Sequence, residues 1–250
     1  MNNNKLLIIE KAKEQIKKVG IQIKEKKKEQ IKTMDTILEK TPFLLLINAG
    51  IGCGKTVMAQ ALIKRAIYLK IYERIFVVSP TINRGFWSDV GVKKTDQIEF
   101  MDTSAIKEMG DFRKKQQDAK KKLKPWLVVF DDLLSGDTKI KDLISPLLIL
   151  RHRNISTILI GQHLKSIPPA IRSNAYFYIL GNLNGHENHK ILFQELCNAG
   201  DDKNTFINNY YENTKDNAFM IVNNTNVDNK DRINRFKVDM KFWGIKPPKR

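Results

Sequence analysis

Cysteine is almost absent from this sequence, which contains Cys53 and Cys197 and no others in 250 residues. Two thiols in a chain of this length indicate a reducing compartment rather than a small secreted fold held by disulfides. The sequence also lacks an apolar run long enough to span a bilayer, and its start lacks the small-residue cleavage site of a signal peptide. We therefore expect a soluble intracellular protein.

Acidic residues are scarce: 27 of them are set against 44 basic residues, and the formal net charge is +17. This excess favours a polyanionic partner, with nucleic acid first and an anionic membrane surface second. The alternative is a solvated basic surface that reflects a lysine- and asparagine-rich composition. Apolar residues make up 42% of the chain, so it is globular rather than disordered.

The chain divides into a basic helical arm over residues 1–40, a core over 41–225 and a basic tail over 226–250. Within the core, continuous apolar strands alternate with helical patterns, which predicts an α/β fold with a mainly parallel sheet covered on both faces. Strands are predicted at 43–48, 74–79, 97–101, 126–130, 156–161, 175–180 and 218–222, and helices at 56–69 and 143–150, with Pro146 in the first turn of the second helix.

Two polar stretches interrupt this alternation. Residues 107–124 carry eight basic side chains against three acidic ones. Residues 198–217 are rich in Asn and Asp, and we expect a loop or an irregular helix there.

A glycine-rich segment between the first strand and first helix fits the relaxed Walker A pattern of a phosphate-binding loop, with Ala49 in place of the first glycine. Its glycines allow successive backbone N–H groups to point at one phosphate, and the following helix adds its positive dipole end. Lys55 would reach the β- and γ-phosphates, and the Thr56 hydroxyl would bind Mg²⁺. The predicted ATP-binding residues are Ala49, Gly50, Ile51, Gly52, Cys53, Gly54, Lys55, Thr56 and Val57.

An acidic pair follows the apolar strand at 126–130 and matches a Walker B segment. Asp131 would hold Mg²⁺, directly or through water, while Asp132 would orient and deprotonate the attacking water. The alternative is a strand end followed by an Asp helix cap. The Walker A segment upstream favours the catalytic interpretation.

Further polar groups are candidates for contacts with the γ-phosphate. Gln162 follows the strand at 156–161 and is the predicted sensor, with His163 as its neighbour. Hydrolysis also needs a positive charge on the transition state, often an arginine from an adjacent subunit. Arg151, Arg153 and Arg172 are each candidates, and the alternative for each is a surface cation.

The order of these segments resembles the genome-packaging ATPases of poxviruses, other nucleocytoplasmic large DNA viruses and virophages, within the FtsK/HerA group of P-loop motors. The resemblance covers roughly residues 43–225 and is carried by R-I-F-V-V-S-P at 74–80, V-V-F-D-D-L at 128–133, L-R-H-R-N-I-S at 150–156 and I-G-Q-H-L-K-S-I-P-P-A-I-R-S-N at 160–174.

The resemblance implies a RecA-like sheet of the additional-strand class, in which the strand at 156–161 separates the Walker A and Walker B strands. It further implies a homo-oligomeric ring, pentameric or hexameric, around duplex DNA. Arg151 or Arg153 would then act on the nucleotide of a neighbouring subunit. Capsid or portal components would be partners, and the site of action would be viral factories in the host cytoplasm, or the virion.

We therefore expect an ATP hydrolase that translocates double-stranded DNA into a preformed capsid, with no membrane partner. The stretch 107–124 and the N-terminal arm are candidate contacts for the DNA backbone. One alternative is a nucleotide-dependent DNA-binding assembly factor with weak hydrolysis, favoured by Asp132 where many such motors have glutamate. A helicase-like ATPase with weak hydrolysis is a further alternative, although the later helicase motifs are missing. A small-molecule kinase is a rival class, but the sequence contains no arginine-rich lid motif.

Overall fold

A computed structural model describes residues 25, 28–80, 82, 85–119, 123–131, 140–197, 202–225 and 233–245. The chain divides into two compact units, Met1–Glu39 and Lys40–Arg250. In the first unit, residues 28–39 form helix α1. The rest of the predicted N-terminal arm, apart from Glu25, lies outside the described residues, and so does most of its lysine run.

The second unit is built on one eight-stranded sheet with the strand order β3-β2-β4-β5-β1-β6-β7-β8. The first six of these pair in parallel, whereas β7 and β8 are antiparallel at one edge. The strands are β1 Leu44–Asn48, β2 Arg74–Val78, β3 Gln97–Ile98, β4 Trp126–Asp131, β5 Ile155–Gly161, β6 Phe177–Leu180, β7 Phe219–Asn223 and β8 Ile233–Phe236.

The strand order places β5 between β1 and β4, as the additional-strand class requires. The predicted α/β fold with a mainly parallel sheet is therefore confirmed. Every residue of β1, β4 and β5 is buried, which explains why their sequences are mostly apolar. Strand β8 was not predicted, and it lies within the stretch assigned to a basic tail.

Helices pack against the sheet and lie between its strands in the sequence. They are α2 Lys55–Tyr68, α3 Thr103–Asp118, α4 Ile140–His152, α5 Pro169–Ser173, α6 His186–Leu196 and α7 Lys203–Thr214, with 3₁₀ turns at Ser88–Val90, Lys94–Asp96, Leu164–Ser166 and Lys215–Asn217. None of the helices in the described part of the chain is long and apolar enough to cross a membrane.

Two local expectations about helices are wrong. Pro146 lies in the interior of α4 rather than in its first turn, because the helix begins three residues earlier than its apolar pattern does. The Asn-rich stretch at 198–217 contains the regular helix α7, which Asp202 caps by accepting from the Thr205 N–H at 2.8 Å. Burial of Phe206 and Tyr210 on one face of α7 outweighs the low helix propensity of its asparagines.

Candidate functional site

The loop between β1 and α2 has the backbone of an anion-binding cradle. Gly52 and Gly54 adopt positive φ angles of 75° and 84°, a region in which side chains are disfavoured. Gly54 is the N-cap of α2 and has no side chain with which to bond the N–H groups of the first turn. No acidic side chain lies in that first turn. The helix N-terminus is therefore suited to an anionic ligand.

Alanine at position 49 is explained by the packing beneath the loop. Ala49 is fully buried, and its N–H donates to the Gly161 carbonyl at 3.4 Å. A Cβ atom on Gly181 would lie only 2.6 Å from the Ala49 Cβ. The methyl group of Ala49 thus occupies the space that Gly181 leaves open, so the departure from the Walker A pattern is accommodated by a glycine on the neighbouring segment.

The Lys55 ammonium is folded over the loop. Its Nζ donates to the carbonyls of Ala49 at 2.9 Å and Gly50 at 3.0 Å. Phosphate oxygens accept hydrogen bonds as these carbonyls do, so a bound phosphate could take their place at the ammonium of Lys55, the first residue of α2. Thr56 follows directly and is half-buried. This donor set fits the phosphates of a nucleotide.

Asp131 lies at the carboxyl end of β4, at the edge of the sheet where the phosphate loop begins. It pairs with Ile160 of β5, which in turn pairs with Ile47 of β1. Two strand spacings separate Asp131 from β1, which corresponds to about 10 Å. The carboxylate is 7% exposed and accepts a long hydrogen bond, 3.5 Å, from the hydroxyl of the buried Ser79. Carboxylate and hydroxyl oxygens are ligands that suit Mg²⁺.

The second carboxylate of the Walker B segment, Asp132, lies outside the described residues, so its role in activating water stays a prediction. Gln162 is the first residue after β5 and is half-buried. Because β5 separates β4 from β1, Gln162 lies at the sheet edge between Asp131 and the phosphate loop. Its role as a sensor also stays a prediction.

His163 is exposed and faces a groove of about 520 Å³ beside this edge. The groove is lined by His163, Lys165, Ser166, Gly185, His186, Glu187 and Asn188. Asn188 joins the two loops that border it, because its side chain accepts from the Leu164 N–H at 3.1 Å and donates to the Asn184 carbonyl at 2.7 Å.

Arg172 is buried within its own subunit, where its guanidinium has partners. Its prediction as an arginine that reaches the nucleotide of a neighbouring subunit is therefore wrong. It is 7% exposed, and its guanidinium bonds both carboxylate oxygens of Glu195 at 2.7 to 3.0 Å. It also donates to the carbonyls of Leu164 and Ile167. Arg172 thereby braces the loop that follows Gln162.

Arg151 and Arg153 lie at the amino ends of the strands, whereas the phosphate loop lies at the carboxyl ends. Both precede β5, whose seven residues span about 20 Å. The Arg151 guanidinium stacks 4.9 Å from the Tyr176 ring centre, and the side chain of Arg153 packs beside Gly110 of α3. The structure does not bring either arginine to the nucleotide edge of its own subunit. A part in hydrolysis would have to be played in a neighbour's site.

The basic stretch 107–124 is divided between surface and core. Arg113 is fully buried, donates to Glu73 at 3.2 Å and to the Lys124 carbonyl at 2.7 Å, and stacks on Trp126. Desolvation lowers the pKa of Arg113. It is therefore a structural cation and not a DNA contact, whereas exposed lysines of the same stretch are Lys107, Lys114, Lys115 and Lys124, and Lys120–Lys122 lie outside the described residues.

Polar residues at two strand ends were missed as members of the site. Ser79 follows β2 and bonds Asp131. Asn48 ends β1 and is fully buried, and its amide nitrogen and oxygen have no hydrogen-bond partner among the described residues. Each is a polar residue that ends or directly follows an apolar strand, and that pattern was visible in the sequence. Only the strand order shows that these two strand ends lie at the same edge of the sheet as Asp131 and the phosphate loop.

The sequence matches known proteins along most of its length. The family described as Poxvirus A32 protein matches residues 30–242. The DNA packaging protein OPG160 of Monkeypox virus is 29% identical over 154 residues, covering 58% of this chain and 50% of the relative. The protein of the same name from Vaccinia virus (strain Copenhagen) has the same identity and is covered to 55%. The chain thus spans about half the length of the curated relatives it matches.

Solved structures share the fold. The crystal structure of B204, the DNA-packaging ATPase from Sulfolobus Turreted Icosahedral Virus, superposes with a TM-score of 0.56 at 14% identity, covering 79% of this chain and 98% of that one. The genome packaging NTPase B204 from Sulfolobus turreted icosahedral virus 2, in complex with AMPPCP, gives 0.55 at 11% identity, covering 78% and 97%. At these identities the likeness supports the fold of this chain.

Proposed function

This chain belongs to the Poxvirus A32 protein family, and on that premise we propose that it is an ATP-driven translocase that packages a viral double-stranded DNA genome into a preformed capsid. The observation that carries the proposal is the meeting of two groups at one sheet edge. The phosphate loop with Lys55 follows β1, and the buried Asp131 ends β4 two strands away. The relatives OPG160 are named as DNA packaging proteins, which supports the same assignment.

The proposed mechanism assigns each polar group of the edge to one task. The amides of the loop and the Lys55 ammonium would bind the phosphates of ATP, and Thr56 and Asp131 would hold Mg²⁺. When bound, the ion would neutralise part of the negative charge of the phosphates. Asp132 accepts a proton from the water that attacks the γ-phosphorus, while the bond from that phosphorus to the β,γ-bridging oxygen breaks and ADP leaves. Gln162 contacts the γ-phosphate.

The position of the two half-buried arginines supports a ring. Arg151 and Arg153 precede β5, a strand about 20 Å long, whereas the phosphate loop lies at the sheet edge where β5 ends. We therefore propose a pentameric or hexameric ring in which one of them reaches the nucleotide of the next subunit and stabilises the transition-state charge.

The grip on DNA is proposed to be electrostatic and independent of sequence, because a pump must move any sequence. The net charge of +17 supports it, as do the exposed lysines 107, 114, 115 and 124. Capsid or portal components would be partners in packaging. Viral factories in the host cytoplasm, or the virion itself, would be the place of action.

ATP turnover of the purified chain, measured with and without duplex DNA, tests the proposal. Lys55→Ala should abolish turnover because it removes the ammonium at the loop, whereas Lys190→Ala, which alters an exposed lysine of α6, should leave it unchanged. Native mass measurement on the same samples should show a closed oligomer. Turnover of Lys55→Ala at the unsubstituted rate would refute the site.

A second candidate is a nucleotide-dependent DNA-binding assembly factor with weak hydrolysis. The shorter Asp132 in place of glutamate favours it. In that case DNA would bind without accelerating turnover, and the Asp132→Glu change would increase the rate. Stimulation of turnover by duplex DNA in the unsubstituted chain would decide for the translocase.

A further inference from the structure

The phosphate loop is anchored on the segment that follows β6. The Gly50 N–H donates to the Asn182 carbonyl at 2.7 Å, and the Cys53 thiol approaches the same oxygen at 3.8 Å. One residue earlier, the Gly181 N–H donates to the Asn48 carbonyl at 2.8 Å. The carbonyl of Asn182 therefore fixes the direction of the Gly50 amide, near the start of the loop.

One side chain from a distant helix holds both flanks of that carbonyl. Tyr210 of α7 is fully buried. Its hydroxyl donates to the Gly181 carbonyl at 2.5 Å and accepts from the Leu183 N–H at 2.7 Å. Burial raises the pKa of Tyr210, so the phenol stays protonated and able to donate across the pH range of an assay.

The segment has little freedom to settle elsewhere. A Cβ on Gly181 would meet Ala49 at 2.6 Å and Phe219 at 3.1 Å, so the backbone is already in close contact with the loop and with β7. On its other side, the Leu183 carbonyl is bonded by the His189 ring at 2.8 Å. The Tyr210 hydroxyl ties the two peptide units next to Asn182 to the core.

We infer that Tyr210 is a positioning residue of the nucleotide site: through Gly181 and Leu183 it holds the Asn182 carbonyl, which orients Gly50 and the phosphate loop. This inference rests on the proposed nucleotide binding. Preorganised amides bind phosphate tightly because no energy is spent in turning them at the moment of binding. Loss of the hydroxyl leaves a buried carbonyl and a buried N–H without that partner, and the loop loses its support.

A matched control separates positioning from stability. Tyr178 of β6 is also buried, at 2% exposure, and its hydroxyl donates to the Arg172 carbonyl at 2.5 Å. This bond is of the same kind, and the Tyr178 hydroxyl also interacts with Glu195. Arg172 lies on α5 and Glu195 on α6, and neither belongs to the segment that anchors the phosphate loop. Tyr178→Phe and Tyr210→Phe should therefore both lower stability, but only the second should alter nucleotide affinity.

The test measures Kd for Mg-ADP, KM and kcat for ATP, and denaturant unfolding for the full chain and both variants. For Tyr210→Phe, we expect Kd and KM to rise about tenfold, with kcat changed less than about twofold, because ground-state binding is lost. Tyr178→Phe should keep the Kd of the unsubstituted chain. Equal Kd values for all three proteins, or the same rise in both variants, would overturn the inference.

Hydrogen exchange on the unsubstituted chain provides a second test that holds if Tyr210→Phe fails to fold. Mg-ADP should slow exchange of the Leu183 N–H, although Leu183 is one residue removed from the contact with Gly50. Unchanged exchange there, with nucleotide bound, argues against Tyr210 as a positioning residue. If the unsubstituted chain binds no nucleotide, the proposed function itself fails, which is a different result from binding with equal affinities.

Discussion

Replacing Arg172 by alanine separates a structural arginine from a catalytic one. Its guanidinium is 7% exposed and shares both oxygens of Glu195, and it also donates to two backbone carbonyls. Removing one partner of a buried ion pair costs about 3–5 kcal/mol. The Glu195 side chain is 28% exposed, so water can solvate part of its carboxylate once the Arg172 guanidinium is removed. We therefore expect a loss of about 3 kcal/mol.

For a domain of this size, that loss corresponds to a fall of about 6–12 °C in Tm. Denaturant unfolding followed by tryptophan fluorescence measures the free energy. ATP turnover should be compared well below both transitions, where both proteins are folded. Because Arg172 is occupied within its own subunit, we expect turnover to fall less than about tenfold, against the thousandfold or greater loss typical of a transferred arginine finger.

Two further variants make the comparison specific. Arg151→Ala removes a half-buried guanidinium that stacks on Tyr176, and it should cost only about 0.5–1 kcal/mol. In a double-mutant cycle, Arg172→Ala and Glu195→Gln should be strongly non-additive because the two side chains bond each other directly. Unchanged stability of Arg172→Ala together with a thousandfold loss of turnover would show that the reasoning is wrong.

Three other predictions rest on single interactions. Gly181→Ala should destabilise the chain by about 1–3 kcal/mol, because the new Cβ would lie 2.6 Å from the Ala49 Cβ. Gly110→Ala should instead stabilise α3 by about 0.5–1 kcal/mol, because its Cβ would have no neighbour nearer than 3.7 Å. Urea unfolding of both variants measures the sign of each change. Ser79→Ala should raise the Mg²⁺ concentration for half-maximal turnover severalfold, because it removes the hydrogen bond to Asp131, and an unchanged Mg²⁺ dependence would contradict that. Replacing Lys107, Lys114 and Lys115 together by glutamine should weaken the binding of duplex DNA. The slope of log K against log salt should fall in magnitude by about 0.9 for each phosphate that is no longer neutralised, with Lys190→Gln as the control. An unchanged slope would exclude α3 as the DNA-binding surface.

The strands of the sheet were predictable where burial on both faces gives a run of consecutive apolar residues. Strands β1, β2, β4, β5 and β6 were predicted because each is an apolar run, and the structure confirms them within a residue or two. Strand β8 was missed because its four residues, I-N-R-F, include two polar side chains, and its pairing with β7 is not visible in the local pattern. The order of the strands came from the resemblance and not from local sequence.

The charged residues were the least predictable part of the chain. Arg113 belongs to the stretch predicted to contact DNA and Arg172 to the candidate arginine fingers, because the sequence shows the charge of a residue without its surroundings. Their partners, Glu73 and Glu195, lie 40 and 23 residues away, so only the tertiary fold reveals the pairing. The same applies to Tyr210, whose hydrogen-bond partners lie 27 and 29 residues away in the segment after β6.

Both loops at the nucleotide edge are supported by the same pair of helices. Asn188 and Glu195 of α6, the latter through Arg172, hold the loop that follows Gln162. Tyr210 of α7 holds the segment that anchors the phosphate loop. Neither helix contains a Walker motif, yet the geometry of both loops depends on them. The Walker A sequence identifies a phosphate-binding loop. The residues that orient the amides of that loop lie more than a hundred positions further along the chain.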